Sequence, residues 1–562
     1  MNAMKRFLPF FRPYARHGAA IAAVLLGTTL ITVGTPYFYK ELVDDGIERG
    51  DAAYVVAMLA AILAAMAAQE LLYLAQKHLT LDVREKVFAK LRMDLIAHLL
   101  RLPQSYYAQS HKGRLLSRLT SDVDAVQNLL LEKYIYFAQN VLVGLSIFIV
   151  IGMLNAAMIF VAGLFLPLLG LLFLAFRRRI AESGKEAQEK QETMVERLQE
   201  DLSMVKAIQA FSVLRPRLER TNASIGEAAR AKRLLGLRYA WASSATALLN
   251  MLGVAVIWGI GGVAVIEGRM SLGTLIAISF YLNYVVHLFF NAYHTLIGFQ
   301  ASLPAAKRIF EVLDASPSTE APGAKPVGKL TEGIVFRDVA FSYGNGKPVF
   351  ENVSFRLRKG ELIGVVGDSG KGKTTLVNLL MRFYDPDAGA IEWDGMDLRE
   401  ATLDSLRRAV ASVPQEDPMF SATVRENIVL GRTGADEAKF LEACRAAGVD
   451  GFATALERGY DTEIGENGMK LSSGQRKRLS IARALLEDPD VLVFDEATSV
   501  LDERTERDIM EVAKELARTR LVLVVTHKLS NVSDASRLLH VHAGTVTVYE
   551  SYDAYRKKVL LA

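Results

Sequence analysis

The stretch Gly367-Asp368-Ser369-Gly370-Lys371-Gly372-Lys373-Thr374 decides the fold of the second half of the chain. It lies between an apolar run, residues 361–366, and a helical pattern that begins at Thr375. Glycines in such a loop let successive backbone N–H groups converge on phosphate oxygens, and the helix N-terminus adds partial positive charge. Lys373 is placed to reach the β- and γ-phosphates, and the Thr374 hydroxyl is placed to bind Mg²⁺. The stretch therefore predicts a nucleoside triphosphate site rather than a plain glycine-rich turn.

The composition indicates a membrane part and a soluble part in one chain. The 562 residues exceed a single domain, and 51% of them are hydrophobic, with a mean hydropathy of +0.20. Charged residues still account for 23%. The net charge of +4 gives no argument for nucleic acid as a partner. The single cysteine, Cys444, excludes an intrachain disulfide framework, and we expect it to be a small buried residue.

The first half contains six apolar runs, each close to the ~20 residues with which a helix crosses a bilayer. The basic start resembles a signal peptide, but no small-x-small cleavage site follows it. The predicted spans lie near residues 17–38, 54–75, 136–154, 156–176, 243–266 and 275–296. A linker rich in Pro and Gly follows at 314–331, so we expect a membrane domain over 1–313 and a second domain over 332–562. In the second domain strand patterns alternate with helical patterns, which is typical of an α/β fold.

The charges of the loops predict the orientation in the membrane. The loop after the first span is acidic, whereas the fourth span ends in Arg177-Arg178-Arg179 and the N-terminus is basic. Lys and Arg are enriched on the cytoplasmic side of membrane proteins. We therefore expect both termini and the α/β domain in the cytoplasm, and the chain in the plasma or inner membrane of a prokaryotic cell.

The connections on the cytoplasmic side are long, and they keep a helical period. Apolar residues recur every fourth position at Val83, Val87, Leu91, Leu95 and Leu99. This spacing predicts helices that extend well beyond the membrane. Interruptions at 103–107 with 111–113, and at 211–216, are placed to turn a descending helix into an ascending one. Ordinary surface loops are the alternative.

Two further motifs carry chemistry in the second half. The apolar run 491–494 ends in Asp495 and Glu496; the first suits a Mg²⁺ shell, and the second is placed to orient or deprotonate an attacking water. Residues 471–475, Leu-Ser-Ser-Gly-Gln, precede a helical run and predict a second anion site at a helix start. A serine helix cap without a ligand is the alternative for this pentapeptide.

The order of these motifs resembles the nucleotide-binding domain of ATP-binding cassette (ABC) transporters. The order comprises residues 367–374, which we call the P-loop, followed by Gln415, residues 471–475, Asp495-Glu496, residues 499–502 and His527. The resemblance covers about residues 331–549, and the six spans ahead extend it to a half-transporter of the exporter type. It implies ATP and Mg²⁺ as cofactors and hydrolysis of ATP coupled to transport.

The resemblance also implies a role for each matching residue. Tyr343 stacks on adenine, and Gln415 senses Mg²⁺ and couples to the membrane domain. The pentapeptide 471–475 corresponds to the family's signature, which closes over the γ-phosphate held by a partner's P-loop through Ser472, Gly474 and Gln475. Glu496 is the catalytic base, Asp502 an acid at the dimer seam, and His527 the switch histidine. The implied nucleotide site comprises Tyr343, Gly367, Asp368, Ser369, Gly370, Lys371, Gly372, Lys373, Thr374, Thr375, Gln415, Ser472, Gly474, Gln475 and Asp502, with the metal on Thr374, Gln415 and Asp495. Residues 462–468 resemble the exporter loop that meets the intracellular helices, and the two interruptions resemble coupling helices.

Two residues depart from the family pattern. Ser473 stands where the signature usually has a second glycine, which restricts φ and predicts a modest loss of turnover. Lys371 adds a positive charge inside the P-loop. Neither change removes a catalytic group, so we expect competent sites.

An exporter of a small amphipathic molecule or a peptide is the function that this resemblance predicts. An importer built on the exporter fold and a lipid flippase stay open as alternatives. An ATP-gated channel or regulatory subunit is disfavoured because Glu496 and His527 are both present. One chain carries one P-loop and one intact signature, so we expect a homodimer, with a heterodimer as the alternative. No peptidase domain precedes the first span, which argues against a leader-cleaving peptide exporter.

Polar residues in the sixth span predict the substrate path. They recur at three- and four-residue steps and therefore share one helix face: Tyr284, His287, Asn291 and His294, with Tyr281 and Asn283 beside it. Polar groups inside a membrane tend to face a bundle interior or a water-filled cavity. Hydrogen bonds to neighbouring helices are the alternative for any single one. Glu70 in the second span is a further candidate.

Overall fold

The computed structural model describes residues 6–108, 110, 112–127, 134–317, 320–344, 346–368, 370–430, 436–498 and 501–560. The side chains at 112, 134, 161, 162, 166, 287–301 and 560 lie outside this description. The chain divides into two compact units: Met1–Arg101 with Ser110–Ala315, and Leu102–Gln109 with Ser316–Ala562. Residues 103–107 of the first predicted interruption thus group with the second unit, and residues 112–113 with the first.

Six helices of at least 21 residues build the first unit. They are α1 Ala15–Glu41, α2 Ala52–Leu99, α3 Tyr134–Leu154, α4 Ala156–Ser203, α5 Leu214–Ile266 and α6 Leu272–Leu313. Side-chain oxygens cap three of their starts: Asp51 accepts from Tyr54 N at 3.0 Å, Asn155 from Ala157 N at 3.0 Å, and Ser271 from Thr274 N at 3.2 Å. Such caps satisfy backbone donors that have no partner inside the helix.

Five of the described helices are long and apolar enough to cross a membrane. They contain Leu8–Ile47, Ala52–Leu99, Ile135–Leu154, Ala156–Ser203 and Leu214–Ile266. The described apolar part of α6 is shorter, Leu272–Val286. The helices continue past the predicted spans: α2 and α4 have 48 residues each, about 72 Å at ~1.5 Å per residue. Because five of the described helices meet this criterion, the sixth crossing stays a prediction.

The C-terminal part of α2 packs as its sequence period predicts. Val83, Val87, Leu91, Leu95 and Leu99 are all buried. Short helices follow: Gln104–Ala108, Lys112–Ser117, a π-helical turn Arg118–Asp122 and Val123–Gln127. The second interruption separates the helix Val205–Ala210 from α5, and Ser212 there has a φ of 54°. The first interruption thus overlaps the short helix Gln104–Ala108, and of the second interruption only residues 211–213 lie between helices.

Two sheets and a set of helices build the second unit. The antiparallel sheet has the order β2-β1-β4-β5, with β1 Gly333–Tyr343, β2 Lys347–Arg358, β4 Ala388–Trp393 and β5 Met396–Asp397. The second sheet has the order β10-β9-β3-β8-β7-β6, with β3 Leu362–Val366, β6 Val410–Val413, β7 Val491–Asp495, β8 Leu521–Val525, β9 Arg537–His542 and β10 Thr545–Tyr549. The described helices include α7 Lys373–Leu380, α8 Glu437–Ala446, α9 Ser473–Leu485 and α10 Glu503–Ala517. Cys444 on α8 is fully buried, as expected.

The parallel part of the second sheet positions the functional residues. Strands β9, β3, β8, β7 and β6 run parallel, and β3 and β8 are buried along their whole length. The carboxyl ends of parallel strands meet at one edge of a sheet, which is where ligands bind in such folds. The P-loop follows β3, Gln415 follows β6, Glu496 follows β7 and His527 follows β8. Four motifs that are distant in sequence thus share one edge.

Candidate functional site

The P-loop has the backbone that a phosphate cradle requires. Gly367 has a φ of 149°, and a Cβ there would lie 2.3 Å from the carbonyl oxygen of Val541. Gly372 has a φ of 112° and caps α7 in a left-handed conformation. Only glycine fits both positions without strain. The first N–H groups of α7 therefore point out of the helix end toward the loop, as anion binding requires.

Lys373 lies folded over its own loop. Its side chain is buried, and Nζ donates to the carbonyl oxygens of Gly367 at 2.7 Å and Asp368 at 3.1 Å. These contacts hold the ammonium above the loop where phosphate oxygens are expected. Thr374 is exposed in the first turn of α7, and the side chains of Lys371 and Asp368 are exposed as well. Ser369 lies outside the described residues.

Tyr343 is fixed against the helix that follows the P-loop. Its hydroxyl lies 3.1 Å from Oγ1 of Thr375, and Nδ2 of Asn378 donates to it at 3.4 Å. Its ring makes edge contacts with Phe341, at 4.9 Å between centroids, and with Tyr384, at 5.1 Å. The ring thus lies beside the first turns of α7, and its stacking on adenine stays a prediction.

Asp495 ends β7, Glu496 follows it, and both are half-buried. Burial, and then the neighbouring charge of Glu496, raise the pKa of Asp495, although Lys373 and Lys477 oppose that rise. A buried carboxylate of this kind favours a bound cation, and oxygen donors are those that Mg²⁺ takes. The Thr374 hydroxyl, the Gln415 amide oxygen and Asp495 are therefore a suitable donor set.

The backbone of Glu496 is strained. Its φ is 48°, a region that costs a non-glycine residue free energy and that recurs at functional sites. A hydrogen bond from its N–H to the carbonyl oxygen of Val525, at 2.9 Å, holds this turn. Oε1 of Glu496 lies 3.9 Å from Nδ1 of His527, whose side chain is 52% exposed. The predicted base and the predicted switch histidine are thus neighbours on adjacent strands.

The signature residues cap a helix inside their own chain. Oγ of Ser472 accepts from the N–H of Gln475 at 3.2 Å, and the Gln475 side chain accepts from the N–H of Ser472 at 2.9 Å. This is a capping box, so the serine cap is present in the single chain, and the anion site at this helix start stays a prediction. Ser473 is the first residue of α9 and has no left-handed φ, so serine brings no backbone strain there.

Asp502 has a similar structural role at α10. Its Oδ1 accepts from Oγ1 of Thr505 at 2.7 Å, and its Oδ2 from the N–H of Thr505 at 3.1 Å. Gly474 packs next to the same threonine, because a Cβ on Gly474 would lie 2.8 Å from Cγ2 of Thr505. The start of α9 and the start of α10 are therefore in contact. Residues 499 and 500, which precede Asp502, lie outside the described residues.

Two polar clusters near the site were missed by the sequence interpretation. Glu506 accepts from Lys528 at 2.9 Å and from Asn531 at 2.7 Å, and Asn531 also donates to Thr498 at 2.8 Å. These contacts join α10 to the residues that follow β7 and β8. In the second cluster, Lys477 on α9 contacts the loop that carries Gln415. Lys477 is flanked by Arg476 and Arg478, and Glu506 by Thr505 and Arg507, so the sequence gives no signal for either cluster.

The predicted substrate path is only partly described. Tyr284 is half-buried, and Glu70 is exposed on the chain. Tyr281 donates to the carbonyl oxygen of Val33 at 2.6 Å, and Asn283 accepts from Asn250 at 3.0 Å, so both join neighbouring helices. The side chains of His287, Asn291 and His294 lie outside the described residues.

An apolar helical unit joined to a P-loop α/β unit defines the class of ATP-driven membrane transporters. Residues 19–289 match the ABC transporter transmembrane region, and residues 350–499 match the ABC transporter family model. The chain belongs to the ABC transporter family, as its motifs predict, and is a membrane-bound, exporter-type half-transporter that couples ATP hydrolysis to transport.

Relatives and a solved structure cover almost the whole chain. An ATP-dependent lipid A-core flippase of Syntrophus aciditrophicus is 31% identical over 97% of this chain and 91% of the relative. A fatty acid ABC transporter ATP-binding/permease protein of Mycobacterium bovis is 32% identical over 88% of this chain and 78% of the relative. The structure of a bacterial Atm1-family ABC exporter with ATP bound has a TM-score of 0.85, at 25% identity, and covers 97% of both chains.

Proposed function

We propose that the chain works as a homodimer that exports an amphipathic molecule across the cell membrane by alternating access. Each ATP site would combine the P-loop of one copy with the signature of the other. Two features of the single chain support this assembly: Ser472 is exposed at the N-terminal start of α9, and Asp502 is exposed at the N-terminal start of α10. The P-loop side and the signature side of the composite site both keep the residues that turnover needs, so two identical copies would suffice to form two active ATP sites.

One observation carries the hydrolytic role. Glu496 is held in a left-handed conformation directly after a buried strand, with its carboxylate within 3.9 Å of His527. A base that must orient water needs a fixed position, and a strained backbone persists only where the surroundings impose it. The family's assignment of Glu496 as base and His527 as γ-phosphate contact therefore fits this geometry.

Mg²⁺ fits the same edge of the sheet. Asp495 ends β7, Gln415 follows β6 with an exposed side chain, and Thr374 is exposed in the first turn of α7. These residues would hold the ion, which when bound supplies charge to the β- and γ-phosphates. The chain's own part is to present three oxygen donors and to keep Lys373 above the loop.

The substrate class rests on the relatives. One is named a lipid A-core flippase and another a fatty acid transporter, and both names denote molecules with an acyl chain and a polar group. An amphipathic substrate is therefore the first candidate, and a membrane lipid is the form that these names favour. The face with Tyr284, His287, Asn291 and His294 remains our proposed path on its sequence spacing, and Glu70 a second polar position.

Reconstituted vesicles test this function and its direction. With the nucleotide-binding units outside, ATP should drive a fluorescent short-chain lipid from the outer to the inner leaflet, measured by protection from a quencher. An amphipathic dye in a parallel assay should accumulate inside if the substrate is not a lipid. Movement in the opposite direction would identify an importer. Movement that persists in Glu496→Gln would contradict an ATP-driven transporter.

The same preparation tests the homodimer. Two differently tagged copies should co-purify from one membrane and remain active without any other polypeptide. An obligatory second polypeptide in the active fraction would overturn the homodimer.

A further inference from the structure

Lys477 is a buried cation two residues after the signature. It lies in the second turn of α9, and only 3% of the residue is exposed. Burying an ammonium group costs several kcal/mol unless charges and hydrogen bonds compensate it. Its partners should therefore reveal why this position carries a lysine.

In the part of the chain that the structure describes, the hydrogen-bond and ion-pair partners of Lys477 belong to the loop that follows β6. Nζ donates to the carbonyl oxygens of Pro414 at 2.8 Å and Gln415 at 3.1 Å. Nζ also lies 2.9 Å from Oδ1 of Asp417, in the geometry of an ion pair rather than of an aligned hydrogen bond. The ammonium thus holds two successive carbonyls and is neutralised by the same loop.

A second cation of α9 holds the far end of this loop. Arg483 donates to the carbonyl oxygen of Pro418 at 3.0 Å and to that of Asn427 at 2.9 Å. Residues 414–418 are therefore attached to one helix at both ends, while the Gln415 side chain stays exposed. The helix that holds the loop is the helix that begins at the signature.

We propose that Lys477 is a positioning residue that fixes the backbone of Gln415 to the signature helix, so that Gln415 and Ser472 move together. This proposal rests on the function proposed above, in which Gln415 is a Mg²⁺ ligand. When α9 moves toward a partner's nucleotide, the loop must follow because its carbonyls are bound to Lys477. Loss of the ammonium would leave both functional residues in place but uncouple them.

The Mg²⁺ requirement of the full-length protein tests this role. Lys477→Met keeps the apolar part of the side chain close to its original size and removes the donors. We expect the Mg²⁺ concentration for half-maximal ATPase activity, at saturating ATP, to rise by roughly 10–100-fold, the range found when residues that support metal ligands are lost. Binding of a fluorescent ATP analogue in EDTA should stay within about twofold of wild type, because the P-loop is untouched. Lys477→Arg, which keeps donors and charge, should recover most of the loss.

Matched variants separate this role from a merely structural one. Arg478→Met removes a cation from the same helix, one that contacts Asp508 and the carbonyl oxygen of Ala447. It should reduce stability without changing the Mg²⁺ requirement. Asp417→Asn keeps the ammonium on its carbonyls and should change that requirement much less than Lys477→Met. If Lys477→Met behaves like Arg478→Met, the proposal is wrong.

Two further variants keep the test decisive. Lys477→Met with Asp417→Asn removes the donors and both buried charges together, so no carboxylate is left unpaired, and the same rise in Mg²⁺ requirement is expected; a wild-type requirement in this folded variant overturns the proposal. Gln415→Ala is the reference. If it leaves the Mg²⁺ requirement unchanged, the metal role of Gln415 and the present proposal both fail. If it raises the requirement and Lys477→Met does not, only the role of Lys477 fails.

Discussion

Nδ1 of His527 lies 3.9 Å from Oε1 of Glu496, at the carboxyl ends of two adjacent parallel strands. The register of β7 and β8 sets this distance, because Asp495 pairs with Val525 and each functional residue follows its strand within two positions. The two side chains can therefore act on one water or one phosphate oxygen without a rearrangement of the sheet.

Glu506 should stabilise the second unit by an amount that depends on pH. Burial by itself raises the pKa of Glu506, but hydrogen bonds from Asn531, Lys528 and Thr498 outweigh it and hold the pKa below its usual value. The stabilisation is therefore complete above the unfolded pKa of about 4.3 and is lost as pH falls through the lower folded pKa. Glu506→Gln should lower the free energy of unfolding at pH 7 by about 1.5–3 kcal/mol.

Thermal unfolding of the full chain at several pH values measures this effect. The difference in Tm between wild type and Glu506→Gln should be constant near neutrality and shrink in acid. Glu511→Gln is the matched control, since Glu511 is on the same helix and its side chain is 71% exposed. A difference in Tm that grows in acid would contradict the account.

Tyr343→Leu should weaken ATP binding while leaving turnover nearly intact. Stacking of a base on an aromatic ring contributes about 1–3 kcal/mol, so KM for ATP should rise roughly tenfold. Tyr343→Phe keeps the ring and loses only the contacts with Thr375 and Asn378, so its KM should rise much less. Steady-state ATPase activity against ATP concentration separates the two. Equal KM values for Tyr343→Leu and wild type would exclude adenine stacking.

Gly474→Ala should reduce ATPase activity through a contact inside the chain. The added Cβ would lie 2.8 Å from Cγ2 of Thr505, whose hydroxyl and N–H bind Asp502. The second change Thr505→Ser removes that methyl group and keeps the hydroxyl, so the double variant should recover much of the activity. Thr505→Ser alone is the control. Activity that stays low in the double variant would mean that the glycine is needed for a contact other than the one with Thr505.

The sequence predicted the parts of the molecule that depend on local pattern. Three such parts are the strand and loop of the P-loop, the buried strand that ends in Asp495, and the helix with apolar residues at every fourth position from Val83 to Leu99. Each depends on a few neighbouring residues, and each has the predicted structure. The edge shared by Gln415, Glu496 and His527 also follows from the motifs, because parallel strands bring their carboxyl ends together.

Contacts between distant residues could not be predicted in this way. Lys477 is 62 residues from Gln415, whose carbonyl it binds, and the sequence shows no sign of that pairing. The helix cap at Ser472 was predicted only as an alternative, and the cap at Asp502 was not predicted. A short polar side chain can serve a helix end and a ligand equally well, so the sequence alone does not separate the two roles. The described apolar part of the sixth helix covers only Leu272–Val286, so the sixth crossing stays a prediction.

ATPase activity of Glu496→Gln tests the central claim most directly. Removal of a general base commonly lowers the rate by roughly 10²–10⁴-fold, so turnover in the full-length protein should fall to that extent while binding of a fluorescent ATP analogue is retained. Glu515→Gln, a change at an exposed carboxylate on α10, should leave turnover at the wild-type level. Steady-state activity of Glu496→Gln above a tenth of wild type would contradict the assignment of this residue, and with it our account of how the site hydrolyses ATP.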